Sequence, residues 1–394
     1  MSSDDPLAAA LAAAGLGDVR PGESRPPEAR IEVVDSVPDE PQAPRELWPE
    51  GIGTGVGSLP GTDPVEASAL VTGETPELPA FPELPDRGVG ADMIGRATRL
   101  LVDLAVEVVP TGWRVTARRG RDLQRARDLM AADLDAFGDA CDRTRPSWVK
   151  VQATGPWTLA ASVELASGHR VLTDRGAARE FATSLGEGLR THIAEVAART
   201  GAAVVVQLDE PGLPAVIAGS LPTASGYGTV RSVRAPDAQE ALRELIAGID
   251  APVVVHCCAD VPPTRLLAGT AAAAVGIDAT RPAFTGTTPD GRAASFASGA
   301  EPAALDAIGE TWDAGTPLLL GLLPGTEPRP EPELGELARA GFELADRLGF
   351  DRQRLACLAV PTPACGLAGA TPAWARRALG MSRDLGRAFA DPDV

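Results

Sequence analysis

The stretch "VVVHCCAD" (253–260) runs three valines into a histidine and two cysteines, in a chain of 394 residues with only three histidines and five cysteines. Packing alone gives no reason for imidazole and thiols to end an aliphatic run. Side chains on a strand alternate between faces, so His256 and Cys258 share one face and Cys257 takes the other. Twenty residues later "AAVGID" (273–278) closes on Asp278, a carboxylate that needs a cation or several donors to offset its desolvation. Cys365 stands in "PTPACGLAG" (361–369) at the end of the last apolar run. One imidazole, two thiolates and one carboxylate make a borderline-soft tetrahedral set suited to zinc. The carboxylate is the ligand an incoming thiol could displace, to be held as thiolate at neutral pH. Taken singly, a histidine at a strand end is more often a hydrogen-bonded structural residue, and a buried free cysteine a small hydrophobe, so the zinc reading rests on the conjunction. Cys141, Cys257 and Cys357 read as packing residues, and His169 and His192 as surface residues of helix or loop segments.

Such ligands need a frame. Eight β-rich runs end in Gly, Pro, Asp or Cys and are separated by Ala/Leu/Glu/Arg stretches of helical periodicity: 51–58, 103–110, 148–156, 202–211, 251–259, 273–280, 316–325 and 354–366. Nearly continuous Val/Leu/Ile runs are strands covered on both faces, and intervening helices imply parallel neighbours with right-handed crossovers. The expected fold is α/β, a (β/α)₈ TIM barrel over 51–394. An open doubly wound sheet is the rival, but no G-x-G-x-x-G loop follows the first run. Barrel enzymes place their chemistry at the C-terminal strand ends, where Ser58, Asp209 with Glu210, His256 with Cys258, Asp278 and Cys365 all fall.

Residues 1–50 carry eleven acids, four bases and eight prolines, which predicts a disordered acidic tail. Over the whole chain 54 acids oppose 36 bases, for a net charge of −18, and Lys150 is the single lysine among those bases. Such a field argues against nucleic acid or anionic membrane as partners. No apolar run reaches the ~18 residues of a membrane span, and the acidic N-terminus is unlike a secretory signal, so a cytoplasmic protein is expected.

The motifs "HCC" (256–258), "IDATR" (277–281) and "ACGL" (364–367) resemble, in order and context, the zinc site of the cobalamin-independent methionine synthase family, in its C-terminal catalytic barrel. "GVGSLPGT" (55–62), "VKVQATGPWTL" (149–159) and "VVQLDEPGLP" (205–214) resemble further strands of that family, so the likeness covers most of 51–380. It implies a zinc-dependent methyltransferase that methylates the homocysteine thiol to give methionine. Zinc would sit on His256, Cys258, Asp278 and Cys365. Gly57, Ser58, Asp209 and Glu210 would line the amino-acid site, Asp209 being catalytic as well. The methyl donor would be a methylfolate or a methylcorrinoid, the latter free or carried by a corrinoid protein. A corrinoid-dependent enzyme acting on another thiol and a non-catalytic zinc barrel stay open. Several features depart from the family. One barrel is present where full-length members have two, and the carboxylate is Asp where Glu is usual. No acid is matched to the family's substrate-binding Glu in "ELPDRGVGADMIGR" (83–96), and no histidine follows "LLLGLLPG". Trp157 could stack a flat ring but reads better as core.

Overall fold

The computed structural model describes residues 47–285 and 301–391. The expected acidic tail therefore lies, up to residue 46, outside the described residues. Among those described, nine strands form: β1 (Ala105–Val109), β2 (Gly112–Thr116), β3 (Trp148–Thr154), β4 (Val163–Glu164), β5 (Ala203–Asp209), β6 (Val253–Cys257), β7 (Ala274–Asp278), β8 (Leu318–Leu323) and β9 (Ala359–Pro363). Six of them make one parallel sheet in the order β3-β5-β6-β7-β8-β9. These six are the runs expected from 148 onward, each followed by helix.

The other two runs behave differently. Residues 103–110 do not join the parallel sheet. β1 turns back through Gly112, at φ 134°, and pairs antiparallel with β2 in a separate three-stranded sheet, β1-β2-β4. Its burial explains this: Glu107 and Val108 are exposed, so the run is not covered on both faces. Residues 51–58 are extended without forming a regular strand. Thr54 N–H donates to Pro361 C=O at 3.2 Å, and Glu83 N–H to Gly57 C=O at 3.2 Å. Phe81 N–H then donates to Lys150 C=O at 2.7 Å. Backbone hydrogen bonds thus run from β9 through 54–59 and 79–83 to β3. Pro79 and Pro82 deprive the second segment of donors, which keeps it from being a regular strand and hid it in the sequence.

Each parallel strand has two buried faces. Val204, Val206 and Leu208 of β5 and Val253, Val255 and Cys257 of β6 join the main core under the helices. The alternate residues Val205, Val254, Ala274, Leu319 and Val360 meet Ile52 and Leu78 in a second, smaller apolar cluster. Along this second face the side chains turn polar towards the C-terminal strand ends, at Gln207 and Asp209, His256, and Asp278. The register sets Asp209 beside His256, and His256 beside Gly276.

Candidate active site

Asp209 and His256 close β5 and β6 side by side. His256 Nδ1 lies 2.7 Å from Asp209 Oδ1. A carboxylate can only accept, so Nδ1 carries the proton. Gly276 makes the space: a Cβ there would stand 2.9 Å from His256 Cδ2. Asp209 Oδ1 also accepts from Gln207 Nε2 at 2.8 Å, and the same Nε2 donates to Val56 C=O at 3.0 Å. Gln207 Oε1 in turn accepts from Lys150 Nζ, which also reaches Val56 C=O at 3.3 Å. Lys150 is fully buried, and loss of hydration pushes its amine down to about 7, against the pull of Asp209 and Glu83.

Cys258 and Cys365, 107 residues apart, bring their sulfurs within 3.3 Å. The hydrogen bond with Cys258 lowers the Cys365 thiol to about 6, with His256 adding to the effect and burial opposing it. The same pairing drives Cys258 up. Asp278 behaves differently. Its Oδ1 accepts from Thr280 N–H (2.9 Å) and Thr280 Oγ1 (2.6 Å), and its Oδ2 lies 2.7 Å from Arg281 Nε. Arg281 also pairs with Asp260 at 3.0 Å. The cation required by a buried Asp278 is therefore an arginine three residues on. Among the described residues no group of three or more His, Cys, Asp or Glu side chains is arranged to hold a metal ion. The donor chemistry of the two sulfurs with His256 suits zinc; Asp278, with both oxygens engaged, does not fit the ligand set expected of it.

Glu210 is fully buried and faces the helix Pro156–Ser162, not the polar strand ends. It accepts from Trp157 N–H (2.9 Å), Thr158 N–H (2.8 Å) and Thr158 Oγ1 (2.6 Å). These donors offset part of the burial that raises its carboxyl to about 7. Glu210 thus anchors the N-terminal turn of that helix. Ser58 packs against Gly366, where a Cβ would come 1.9 Å from its hydroxyl, and Gly57 lies against Gln152. Gln152 Oε1 is buried with no partner among the described residues. Trp157 donates Nε1–H to Ala238 C=O at 3.0 Å, in keeping with its reading as core.

Sequence reasoning missed the roles of five residues here. Glu83 is partly buried, paired with Arg96 at 3.1 Å, and close enough to Asp209 and Lys150 to feel both charges; loss of hydration raises its carboxyl. Arg96 is held over Phe81 and bonded to Asp133 at 2.9 Å. Gln207 and Gly276 lie two residues before Asp209 and Asp278, so strand parity alone could have nominated them. Lys150 was marked only by being a lone lysine inside an apolar run. His192, expected on the surface, is buried beside Arg99 and Phe81. Cys141 and Cys257 are fully buried, as packing residues should be.

The family model described as "Cobalamin-independent synthase, Catalytic domain" matches residues 52–388. The chain belongs to this family. It is an enzyme of the methyltransferase class that the family represents. No curated protein matches the chain. Among solved structures it is similar to a B12-independent methionine synthase from Shewanella sp. W3-18-1 in complex with selenomethionine. The TM-score is 0.56 at 12% identity, over 88% of this chain and 99% of that one. A methyltransferase from Methanosarcina mazei aligns at TM-score 0.46 and 14% identity, over 86% and 94% of the two chains. No helix among the described residues is long and apolar enough to cross a membrane.

Proposed function

We propose that this synthase-family enzyme transfers a methyl group to the thiol of homocysteine, giving methionine, at the C-terminal strand ends of the parallel sheet. The observation that carries the proposal is the meeting of Cys258 and Cys365, 3.3 Å apart, at the strand end that carries His256, itself held by Asp209. Zinc would be held by Cys258, Cys365 and His256 Nε2, and when bound it would stabilise the substrate as thiolate. The segments 51–58 and 79–83 would stand as the two missing members of an eight-membered barrel, as their hydrogen bonds to β9 and β3 suggest.

The residues of the chain would divide the work as follows. Asp209 Oδ1 orients His256, which leaves Oδ2 free for the substrate ammonium. Glu83, within the field of Asp209, offers a second carboxylate for that ammonium. Gly57 and Ser58 face the substrate carboxylate, to which the Ser58 hydroxyl can donate. Burial strengthens each of these contacts and excludes competing water. In the reaction the sulfur–carbon bond forms as the donor's N–CH₃ bond breaks; the thiol gives up its proton and the donor nitrogen gains one. A methylated folate is the donor proposed, since cobalamin independence gives no support to a corrinoid protein as partner. The test is to supply homocysteine with methyltetrahydrofolate or with methylcobalamin and to measure methionine. Product with the folate alone is expected. Product with methylcobalamin alone would replace the donor, and no product with either would overturn the proposal.

A further inference from the structure

Lys150 is the one lysine in a chain with 36 lysines and arginines together. Wherever this protein needs a cation at its surface it uses arginine; its single lysine is fully buried in the middle of β3, beside Val205 in register. A compact amine can turn its three donors onto two separate oxygens, whereas the larger planar guanidinium needs more room to do so. The amine meets Gln207 Oε1 and Val56 C=O. Charged or neutral, it donates.

Gln207 is the link that gives this bond its consequence. Its side-chain amide can be placed two ways round, with oxygen and nitrogen exchanged. With Lys150 donating to the oxygen, the nitrogen must face Asp209, at 2.8 Å, and Val56 C=O, at 3.0 Å. The reversed amide would point its oxygen at the Asp209 carboxylate and the Val56 carbonyl, putting acceptor against acceptor at both. Once Gln207 is fixed, Asp209 Oδ1 sits where His256 Nδ1 donates to it at 2.7 Å, which in the neutral imidazole leaves Nε2 without a proton.

We propose that Lys150 is a positioning residue that acts through Gln207 and Asp209 to lock His256 in the tautomer that leaves Nε2 free to bind. The chain of bonds Lys150–Gln207–Asp209–His256 crosses from the buried floor of β3 to the thiol pair. Its value for catalysis rests on the thiol-methylation reading; the tautomer does not, and can be measured without turnover.

Three histidines make the measurement tractable: ¹⁵N-histidine labelling gives three imidazoles, assigned with His169→Gln and His256→Gln variants. In full-length wild type freed of metal by a chelator, as in every variant compared with it, neutral His256 should show a single Nδ1–H form. Lys150→Met, of similar length but without a donor, and Gln207→Leu, which breaks the next link, should both lose that single-form signature and populate Nε2–H. Lys150→Arg, if it folds, should recover the Nδ1–H form only in part. A merely structural lysine would lower the melting temperature and leave the tautomer alone. An unchanged His256 signal in folded Lys150→Met overturns the proposal; if that variant does not fold, an unchanged signal in Gln207→Leu does so. Should the tautomer shift while homocysteine proves not to be a substrate, the positioning role stands and the methylation reading falls.

Discussion

Gly276→Ala adds one methyl group beside His256. The new Cβ would lie 2.9 Å from His256 Cδ2 and 3.1 Å from His256 Cβ, where comfortable carbon contacts begin near ~3.5 Å. The position needs no left-handed backbone, so the effect is one of space. The imidazole must retreat by about half an ångström to restore contact distance. Its hydrogen bond to Asp209, 2.7 Å in the wild type, would stretch towards ~3.2 Å, the outer edge of useful N–H···O geometry. Misplacing a reacting group by 1 Å costs on the order of 100-fold in rate, so this shift is expected to cost about 10-fold or more. Overpacking should also lower stability by about 1–3 kcal/mol. The assay is methionine formation from homocysteine and methylfolate, with a thermal melt on the same preparation. Unchanged turnover, whatever the melting temperature, would refute the claim that Gly276 exists to seat the imidazole.

Other outcomes follow from the buried charges and close contacts. Glu210 carries its proton up to about 7 in the fold against an ordinary 4.5, so the unfolded chain releases the proton first and stability falls as pH rises between those values, by ~3 kcal/mol at most. Glu210→Gln should lose that slope in denaturation curves taken at pH 4.5 and 7.5; an unaltered slope would show that the carboxyl ionises normally. Asp133 accepts from Arg87 at 2.7 Å and Arg96 at 2.9 Å, so Asp133→Ala leaves two guanidinium groups without their shared counter-charge. A loss of about 3–5 kcal/mol is expected in urea unfolding, and a loss below ~1 kcal/mol would mean that water takes over. Gly188, in the helix Arg175–Thr200, leaves only 1.7 Å between an added Cβ and Leu100 C=O. Gly188→Ala should force the helix outward and lower the melting temperature by several degrees; a wild-type melt would contradict that packing.

The six strands of the parallel sheet were legible because each is an aliphatic run bounded by turn residues, and a strand covered on both faces has no other appearance. Residues 103–110 looked the same by composition, yet Glu107 among the valines marks a face open to water, and that single charge separates a hairpin strand from a buried one. The segment 79–83 was invisible: two prolines in five residues leave no run to detect, although its backbone meets both Gly57 and Lys150. At the site, Asp209, His256, Cys258 and Cys365 could be named from strand ends and parity. The true partners of Asp278 and Glu210 could not, because they depend on how the chain turns after the strand, towards Arg281 in one case and the helix at 156 in the other. Lys150 stood in plain view, but its role depends on Gln207, 57 residues away, which only the sheet register brings beside it.

The most direct test is to measure metal and thiol together. Purified protein should contain about one zinc per chain; Cys258→Ser and Cys365→Ser should each lose it, while Asp278→Asn retains it because Arg281 already satisfies that carboxylate. Cobalt in place of zinc should give a sulfur-to-metal absorption band that grows when homocysteine is added. Protein without zinc, with both serine variants matching wild type and no spectral response to the thiol, would contradict a metal-held thiolate at this centre.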